Sequence, residues 1–347
     1  TPFVTLVIAD LLGVPAEDRQ RFMDVIDAAP PPGSLDAADN DYAGEGHPLI
    51  VMGSYFAAYV EDRRRHPRED ILTELALAKY ADGTTPSVAE IVNLATFLFG
   101  AGQDTSAKLL GNAMRHIVDQ PGLQDQLRAD PALIPALIEE VLRIEGSSKQ
   151  TARVARRDTR IGDRAVPAGT CILLALAAAN RDPARWDAPA DLQLDRPRIR
   201  EHVAFGRGKH VCAGAPLARV EVRIILEKFL EHSSAIDLVP ARQGPPGARD
   251  LHFEPSFIIR GLADLHLTLT PSAAALADRG EAGSFPVAGQ VPQAQAEPQD
   301  EMLSTARTKI GALLADPQTR SLLDRHFPGV ADDQRIAMAR GMTLRAI

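Results

Sequence analysis

A glycine-rich segment leads into a cysteine just before an expected helix, and it constrains the fold more than any other feature. Residues Phe205 to Gly214 read Phe-Gly-Arg-Gly-Lys-His-Val-Cys-Ala-Gly, and amphipathic spacing from Ala215 to Glu231 predicts the helix. The free N–H groups and the positive dipole end of a helix start stabilise a thiolate. Glycines let further backbone N–H groups approach the sulfur closely. The pattern therefore indicates a stabilised thiolate at Cys212.

Three roles are open for this cysteine. A lone cysteine beside a tight turn is most often buried and inert. A thiol nucleophile with His210 as its base is a second role, because His210 lies two residues before Cys212, but no Asn or Asp partner is evident. The third role is axial ligation of haem iron, in which the thiolate pushes electron density onto the metal.

The segment resembles the haem loop of the cytochrome P-450 family, whose signature Phe-Gly-x-Gly-x-His-x-Cys-x-Gly it matches at every fixed position. The resemblance implies haem b, an iron protoporphyrin IX, as the cofactor, with Cys212 as the ligand of the metal. It also assigns Phe205, Gly206 and Gly214 to cofactor binding. It assigns His210 to a haem propionate, where a cation suits a carboxylate.

A long central helix is predicted upstream of this loop. Ser87 and Glu90 form a Ser-x-x-Glu capping box, and the helix is expected to run to about Val118. Residues Ile91 to Ala101 are nearly all apolar. A helix that is apolar all round is normally buried, so we expect this stretch to lie at the centre of the fold.

The middle of this helix carries an acid and an alcohol side by side, Asp104 and Thr105, just after Gly100 and Gly102. Glycine weakens a helix, so a local opening beside Thr105 is expected. The resemblance implies that Thr105 hydrogen-bonds dioxygen, that Asp104 supplies protons, and that Ala101 and the apolar stretch before it line the haem and substrate side. The alternative is a threonine bonded to its own helix and a solvated aspartate.

A Glu-x-x-Arg pair, Glu140 and Arg143, follows on a helix expected to begin at Asp130-Pro131. Such a pair alone is an ordinary contact on one helix face. At this place it resembles a family motif whose third member is Arg196. The resemblance implies a buried structural network of Glu140, Arg143 and Arg196 that fixes the haem loop.

Two further residues lie in a region that is expected to form short strands. Arg153 matches a strand arginine that holds a haem propionate in the family, while the alternative is a solvated surface arginine. Cys171 matches nothing in the family and is expected to be a buried strand thiol. Strands are predicted around Ala152–Ala155, Thr159–Gly162 and Thr170–Leu174, and again near Ile236–Val239, Phe257–Ile259 and Leu265–Leu269.

The fold class expected from these patterns is mainly α with small β-sheets. The resemblance covers residues 1–271 and implies the C-terminal two-thirds of a bacterial, soluble-type haem domain whose N-terminal part is lacking. An Ala/Gln/Pro/Gly-rich linker is expected at 272–300, and a small helical module at 301–347. This module is either a docking element or an inert appendage.

Composition limits the partners. The chain has 347 residues, 45% hydrophobic residues and a net charge of -8, which fits a globular protein and argues against nucleic-acid binding. Its two cysteines argue for a reducing compartment, so a cytoplasmic location is expected. The apolar runs are too short to span a membrane.

The function implied by the resemblance is a monooxygenase that inserts one atom of dioxygen into a small apolar organic substrate. Its electrons would come from a redox partner of the ferredoxin type, for which Arg207 and Lys209 offer a basic surface. The alternative is a haem-binding protein without oxygenase activity.

Overall fold

The structure is a computed structural model that describes residues 2–27 and 48–276. The predictions for the module at 301–347 and for most of the linker at 272–300 lie outside the described residues. All described residues belong to one unit, Thr1–Gly283. Ten α-helices are described: α1 (Pro2–Leu11), α2 (Arg19–Asp27), α3 (Pro48–Arg65), α4 (Ile71–Leu77), α5 (Val88–Asp119), α6 (Leu123–Ala129), α7 (Ile134–Glu145), α8 (Leu176–Ala179), α9 (Ala215–His232) and α10 (Pro240–Gln243).

Six short strands form three antiparallel pairs in the described part of the chain. They are β1 (Thr151–Val154) with β4 (Cys171–Leu174), β2 (Thr159–Ile161) with β3 (Arg164–Val166), and β5 (Ser233–Leu238) with β6 (Leu267–Pro271). The mainly helical class with small sheets is therefore confirmed.

The strand expected at Phe257–Ile259 was wrong. Only Ile259 pairs there, in an isolated bridge with Ser148. The side chain of Ser256 explains the difference, because its hydroxyl accepts hydrogen bonds from the N–H groups of Ile258 (3.2 Å) and Ile259 (3.0 Å). Such local bonds compete with a strand ladder and turn the chain instead.

The central helix α5 begins with the predicted capping box. The Ser87 hydroxyl accepts from the Glu90 N–H at 3.2 Å, and the Glu90 carboxylate accepts from the Ser87 N–H at 2.8 Å. The helix then runs without a break through Gly100 and Gly102 to Asp119, so the expected local opening is absent from it. The glycine cost of about 1 kcal/mol each is small beside the packing of a helix of 32 residues.

Two clusters of buried side chains meet along α5. Its first half packs against α1 to α4, and its second half packs against α6, α7, α9 and β5. Each fully buried large apolar side chain contributes about 1.5–3 kcal/mol. The helix is thus the axis on which the other elements are arranged.

The apolar stretch at the start of α5 is buried on one face only, contrary to the expectation from its composition. Ile91, Ala95 and Phe99 follow helical spacing and pack into the first cluster. Leu94 and Phe97 therefore lie on a different face, where they are 42% and 65% exposed. The consequence is an apolar helix face that reaches the surface just before Ala101, which is also exposed.

No helix in residues 2–27 or 48–276 combines the length and apolar character that crossing a membrane requires.

Candidate functional site

The cysteine loop is a tight turn held by backbone hydrogen bonds. Gly206 (φ +70°) and Gly208 (φ +80°) adopt left-handed backbone conformations that other residues rarely take. The Cys212 N–H donates to the Phe205 carbonyl at 2.9 Å, and the Val211 N–H donates to the Gly208 carbonyl at 3.1 Å. The glycine spacing is thus the local reason that the chain reverses and presents the cysteine.

The thiol of Cys212 is free and exposed at the point where α9 begins. The Ala215 N–H donates to the Cys212 carbonyl at 3.3 Å. The Gly214 carbonyl accepts the Ala218 N–H in the first turn of α9. A Cβ atom at Gly214 would stand 3.8 Å from the sulfur of Cys212. The structure therefore places an accessible sulfur beside the start of a helix.

Cys171 is exposed at the start of β4, so the expectation of a buried strand thiol was wrong. Among the described strands β4 pairs with β1 alone, and the Cys171 position stands opposite Val154, which is itself 61% exposed. This face of the β1–β4 pair is therefore uncovered in the described part of the chain, and its sequence pattern does not reveal that.

Asp104 and Thr105 are adjacent in the middle of α5. The Thr105 hydroxyl donates to the Ala101 carbonyl at 2.9 Å, one turn back in the same helix. The Ser147 hydroxyl donates to the Thr105 carbonyl at 2.7 Å and ties this turn to the segment after α7. The alcohol is thus held within its own helix, which is the alternative that the sequence left open.

The Asp104 carboxylate pairs with Lys108 at 3.3 Å, and the Lys108 ammonium also contacts Glu254 closely. One oxygen of Asp104, Oδ2, is buried without a hydrogen-bond partner in the described part of the chain. Gly261 lies against Lys108, and a Cβ atom there would overlap the lysine side chain. Asp104 is therefore a partly satisfied acid held by one lysine, instead of a solvated one.

Glu140, Arg143 and Arg196 lie in direct contact and are buried. Both guanidinium groups reach the Glu140 carboxylate, at 2.9 Å from Arg143 Nε and 2.7 Å from Arg196 Nε. The remaining N–H groups of both arginines donate to backbone carbonyls of the segment from 180 to 191. Burial opposes the ionised form, but hydrogen bonds from Arg143, Gln193 and Arg196 hold the pKa of Glu140 below its usual value.

A second buried carboxylate on α7, Glu139, was not identified from the sequence. It accepts from Arg219 Nε at 2.6 Å and lies 2.9 Å from His202 Nε2. Burial alone would raise its pKa, but the bonds from His202 and Arg219 bring the pKa of Glu139 down to about 2. These partners are 63 and 80 residues away along the chain, so no local sequence pattern identified them.

A third buried carboxylate, Glu145, ends α7. It pairs with Arg260 at 2.7 Å and with His116 at 3.2 Å, and it contacts Arg115 closely. Burial would raise the pKa of Glu145, but His116 and the two arginines lower it to about 2. This cluster joins α5, α7 and the segment that contains Arg260, at a distance in sequence from the cysteine loop.

The two expected propionate ligands are exposed. Arg153 lies on β1, where its guanidinium donates to the Ala152 carbonyl at 2.8 Å and to the Thr151 hydroxyl at 3.2 Å. His210 ends a short 3-10 turn at Gly208–His210. Within residues 2–27 and 48–276, no hydrogen bond or ion pair joins Arg153, His210 and Cys212 to one another.

The two segments that carry the candidate site belong to helices that pack together. The helix that follows Cys212, α9, packs against α5, which carries Asp104 and Thr105. Between them lies Glu221, whose pKa is raised by burial, with the Ser106 hydroxyl opposing the rise. Beside Cys212, the apolar side chain of Val211 is 53% exposed. An accessible sulfur with apolar neighbours suits a large, flat, apolar metal cofactor, so the residues present fit haem.

A mainly helical fold that presents an accessible cysteine at the start of a long helix is the arrangement expected of a haem-thiolate protein. Residues 53–236 match the family model for Cytochrome P450, so the chain belongs to the cytochrome P450 family. Members of this family bind haem b.

Three relatives illustrate the match. The solved structure of cytochrome P450 CYP150A6 from Mycobacterium marinum, in its substrate-free form, is 48% identical with a TM-score of 0.70, over 78% of this chain and 62% of that one. Cytochrome P450 144 of Mycobacterium tuberculosis is 35% identical over 67% of this chain and 53% of its own length. CYP109E1 from Bacillus megaterium, solved with corticosterone, is 29% identical with a TM-score of 0.68, over 77% of this chain and 70% of that one. The chain thus spans between about half and two thirds of most of these relatives.

Proposed function

We propose that this chain forms the haem-binding part of a monooxygenase that inserts one atom of dioxygen into a small apolar organic substrate. The observation that carries the proposal is the free, exposed thiol of Cys212, presented by a glycine turn at the start of α9. When bound, haem supplies the reductive activation of dioxygen and the transfer of its oxygen atom. The protein supplies the ligand, the protons and an apolar surface.

Cys212 would be the ligand of the metal, and the neighbouring loop would seat the macrocycle. Phe205, Gly206 and Gly214 shape that loop. Their proposed role is supported by the turn geometry, since a side chain at Gly206 would be strained at φ +70°.

His210 and Arg153 would bind the haem propionates. Both side chains are exposed and cationic or able to become so, which suits anionic carboxylates at the edge of a cofactor. Arg153 would exchange its bonds to its own strand for bonds to a carboxylate.

Thr105 and Asp104 would handle the protons of the reaction. The Thr105 hydroxyl donates to the Ala101 carbonyl among the described residues, and it would have to give up that bond in order to donate to dioxygen. Asp104 has one unpartnered oxygen, Oδ2, among the described residues, and this atom can accept and pass on a proton. Lys108 holds the other oxygen and fixes the carboxylate.

The exposed apolar face of α5 supports the proposal that the substrate is apolar. Leu94, Phe97 and Ala101 lie within two turns of each other and precede the acid and alcohol on the same helix. The relative CYP109E1 of Bacillus megaterium was solved with corticosterone, which is a largely apolar organic molecule.

A ferredoxin-type redox partner is supported by the exposed basic residues of the cysteine loop, Arg207 and Lys209. An acidic protein would be steered to this surface and would approach within a few residues of Cys212. Reversing both charges should slow electron transfer, mainly by slowing association, and unchanged electron transfer would reject this surface. A cytoplasmic, reducing location is supported by the two free cysteines.

The first test is the absorption spectrum of the reduced, carbon monoxide-bound protein, produced with a supply of haem, beside Cys212→Ala. A thiolate-type, red-shifted Soret band that is lost in Cys212→Ala would establish the ligand. The same band in both proteins would reject Cys212, and no band in either would reject haem binding by this chain. Cys171→Ser is the matched control, because it removes the other exposed thiol and should leave the band unchanged.

A haem-binding protein without oxygenase activity is the second candidate. The bond from Thr105 to its own helix favours it, because the alcohol is engaged there. Substrate turnover coupled to oxygen consumption would exclude this candidate.

A further inference from the structure

The cysteine loop is fastened to the helical core through Phe205. The Phe205 carbonyl accepts the Cys212 N–H at 2.9 Å, so the position of Phe205 sets where the cysteine lies. The Phe205 ring packs against the buried cluster around α5, α7 and α9, and in the described part of the chain it also lies beside two polar side chains. The Arg219 guanidinium lies 4.7 Å from the ring centre, and the His202 ring lies 6.2 Å from it.

Both of these side chains are oriented by one buried carboxylate, that of Glu139. Arg219 donates to both Glu139 oxygens, at 2.6 and 3.0 Å, and is therefore held in a fixed plane. His202 lies 2.9 Å from Glu139 Oε2. The Glu139 side chain is 4% exposed, so water replaces few of these bonds.

The hydrogen bonds around His202 define which of its nitrogens carries the proton. The Ala204 N–H donates to His202 Nδ1 at 3.2 Å, and a backbone N–H is always a donor. Nδ1 is therefore the acceptor, and Nε2 must carry the hydrogen that faces Glu139. His202 thus links the backbone of the loop to the carboxylate of α7.

We infer that Glu139 is a positioning residue for the cysteine loop: it orients Arg219 and His202, which contact Phe205 and so fix the Cys212 backbone. Its role differs from that of Glu140, whose bonds go to Arg143, Arg196 and the backbone around residue 193. These contacts fix the loop whether or not a cofactor is bound. Its effect on a bound haem rests on the proposed function.

The test compares Glu139→Gln with Glu145→Gln. Both carboxylates are buried on α7 and are paired with arginine and histidine, but Glu145 bonds to Arg115, His116 and Arg260 instead of the loop. Native-state hydrogen exchange of the Cys212 N–H reports the loop directly and needs no haem. Glu139→Gln should speed this exchange by about tenfold or more relative to Glu145→Gln. The reason is that the loss of charge-assisted hydrogen bonds lowers the free energy needed to open the loop locally. Equal exchange rates in the two variants would overturn the inference.

Arg219→Lys provides a second route if Glu139→Gln does not fold. Lysine keeps the charge beside Glu139, but loses the planar group that covers the Phe205 ring. Exchange of the Cys212 N–H faster than in Glu145→Gln supports the inference, and exchange at the wild-type rate contradicts it.

The spectrum of the haem-loaded, reduced, carbon monoxide-bound protein adds an independent readout. Glu139→Gln should convert part of the thiolate-type Soret band into the blue-shifted band that appears when the thiolate is displaced or protonated. Glu145→Gln should keep the wild-type band. If the wild-type protein shows no thiolate-type band, the proposed function fails, and hydrogen exchange still decides whether Glu139 positions the loop.

Discussion

Arg196 Nε donates to Glu140 Oε1 at 2.7 Å, although the two residues are 56 positions apart in the chain. The bond joins α7 to the segment that precedes the cysteine loop, and both side chains are almost fully buried. Because the same carboxylate also accepts from Arg143, the two arginines and the backbone carbonyls around them form one connected network. The stability of this part of the fold therefore depends on every member of the network.

Arg196→Met should lower the free energy of unfolding by about 3–5 kcal/mol, because it leaves a buried carboxylate and three backbone carbonyls with fewer donors. Urea-induced unfolding followed by circular dichroism measures the change. Arg223→Gln is the control, since its pair with Glu227 is exposed and should contribute about 0–1 kcal/mol. Equal losses in the two variants would contradict the buried network as a source of stability.

Gly261→Ala should displace Lys108 from its two carboxylates, because the added methyl group overlaps the lysine side chain. The expected loss of stability is about 1–3 kcal/mol, as for other overpacked sites. Gly111→Ala is the matched control, because nothing lies within 4 Å of its Cβ position on α5. This second change should be neutral or stabilising by about 0.4–1 kcal/mol. Thermal unfolding of both variants distinguishes them, and a loss in both would point to a general intolerance of the chain to alanine.

Acid should destabilise the protein as the pH falls from about 4.5 towards 2. The pKa values of Glu139 and Glu145 are lowered from 4.5 to about 2 in the folded protein, so the unfolded chain binds protons first. Their contribution is fully present above pH 4.5 and is lost through this range, at about 3 kcal/mol for each carboxylate. Unfolding free energies measured at several pH values should show this slope. Glu139→Gln and Glu145→Gln should each flatten it, and an unchanged slope in either variant would show that its carboxylate is not responsible.

Thr105→Val should leave the stability within about 0.5 kcal/mol, because among the described residues the hydroxyl bonds to a carbonyl that its own helix already uses. In the haem-loaded protein the same change should reduce product formed per dioxygen consumed, since a proton donor is lost. Thr96→Val is the control on the same helix. The Thr96 hydroxyl is buried without a hydrogen-bond partner in the described residues, so its loss should be neutral or stabilising and should not affect coupling. Identical coupling in both variants would remove Thr105 from the proposed chemistry.

The features that the sequence determined by itself are those whose partners are close along the chain. The capping box of α5 joins Ser87 and Glu90, three residues apart, and it forms wherever that helix begins. The glycine turn before Cys212 likewise depends on backbone conformations that Gly206 and Gly208 alone adopt easily. The Glu140 and Arg143 pair also lies on a single helix face, although its partner Arg196 was placed only through the family resemblance.

Tertiary structure decided burial and the long-range partners. The apolar composition of α5 did not reveal which face the neighbouring helices cover, so the exposure of Phe97 could be known only from the packing. Cys171 is exposed because no described element covers its face of the β1–β4 pair, and Glu139 is enclosed by His202 and Arg219, which reach it from 63 and 80 residues away. Local spacing fixes backbone geometry over a few residues, whereas burial and ion pairing depend on which distant surfaces meet, and no short stretch of sequence carries that information.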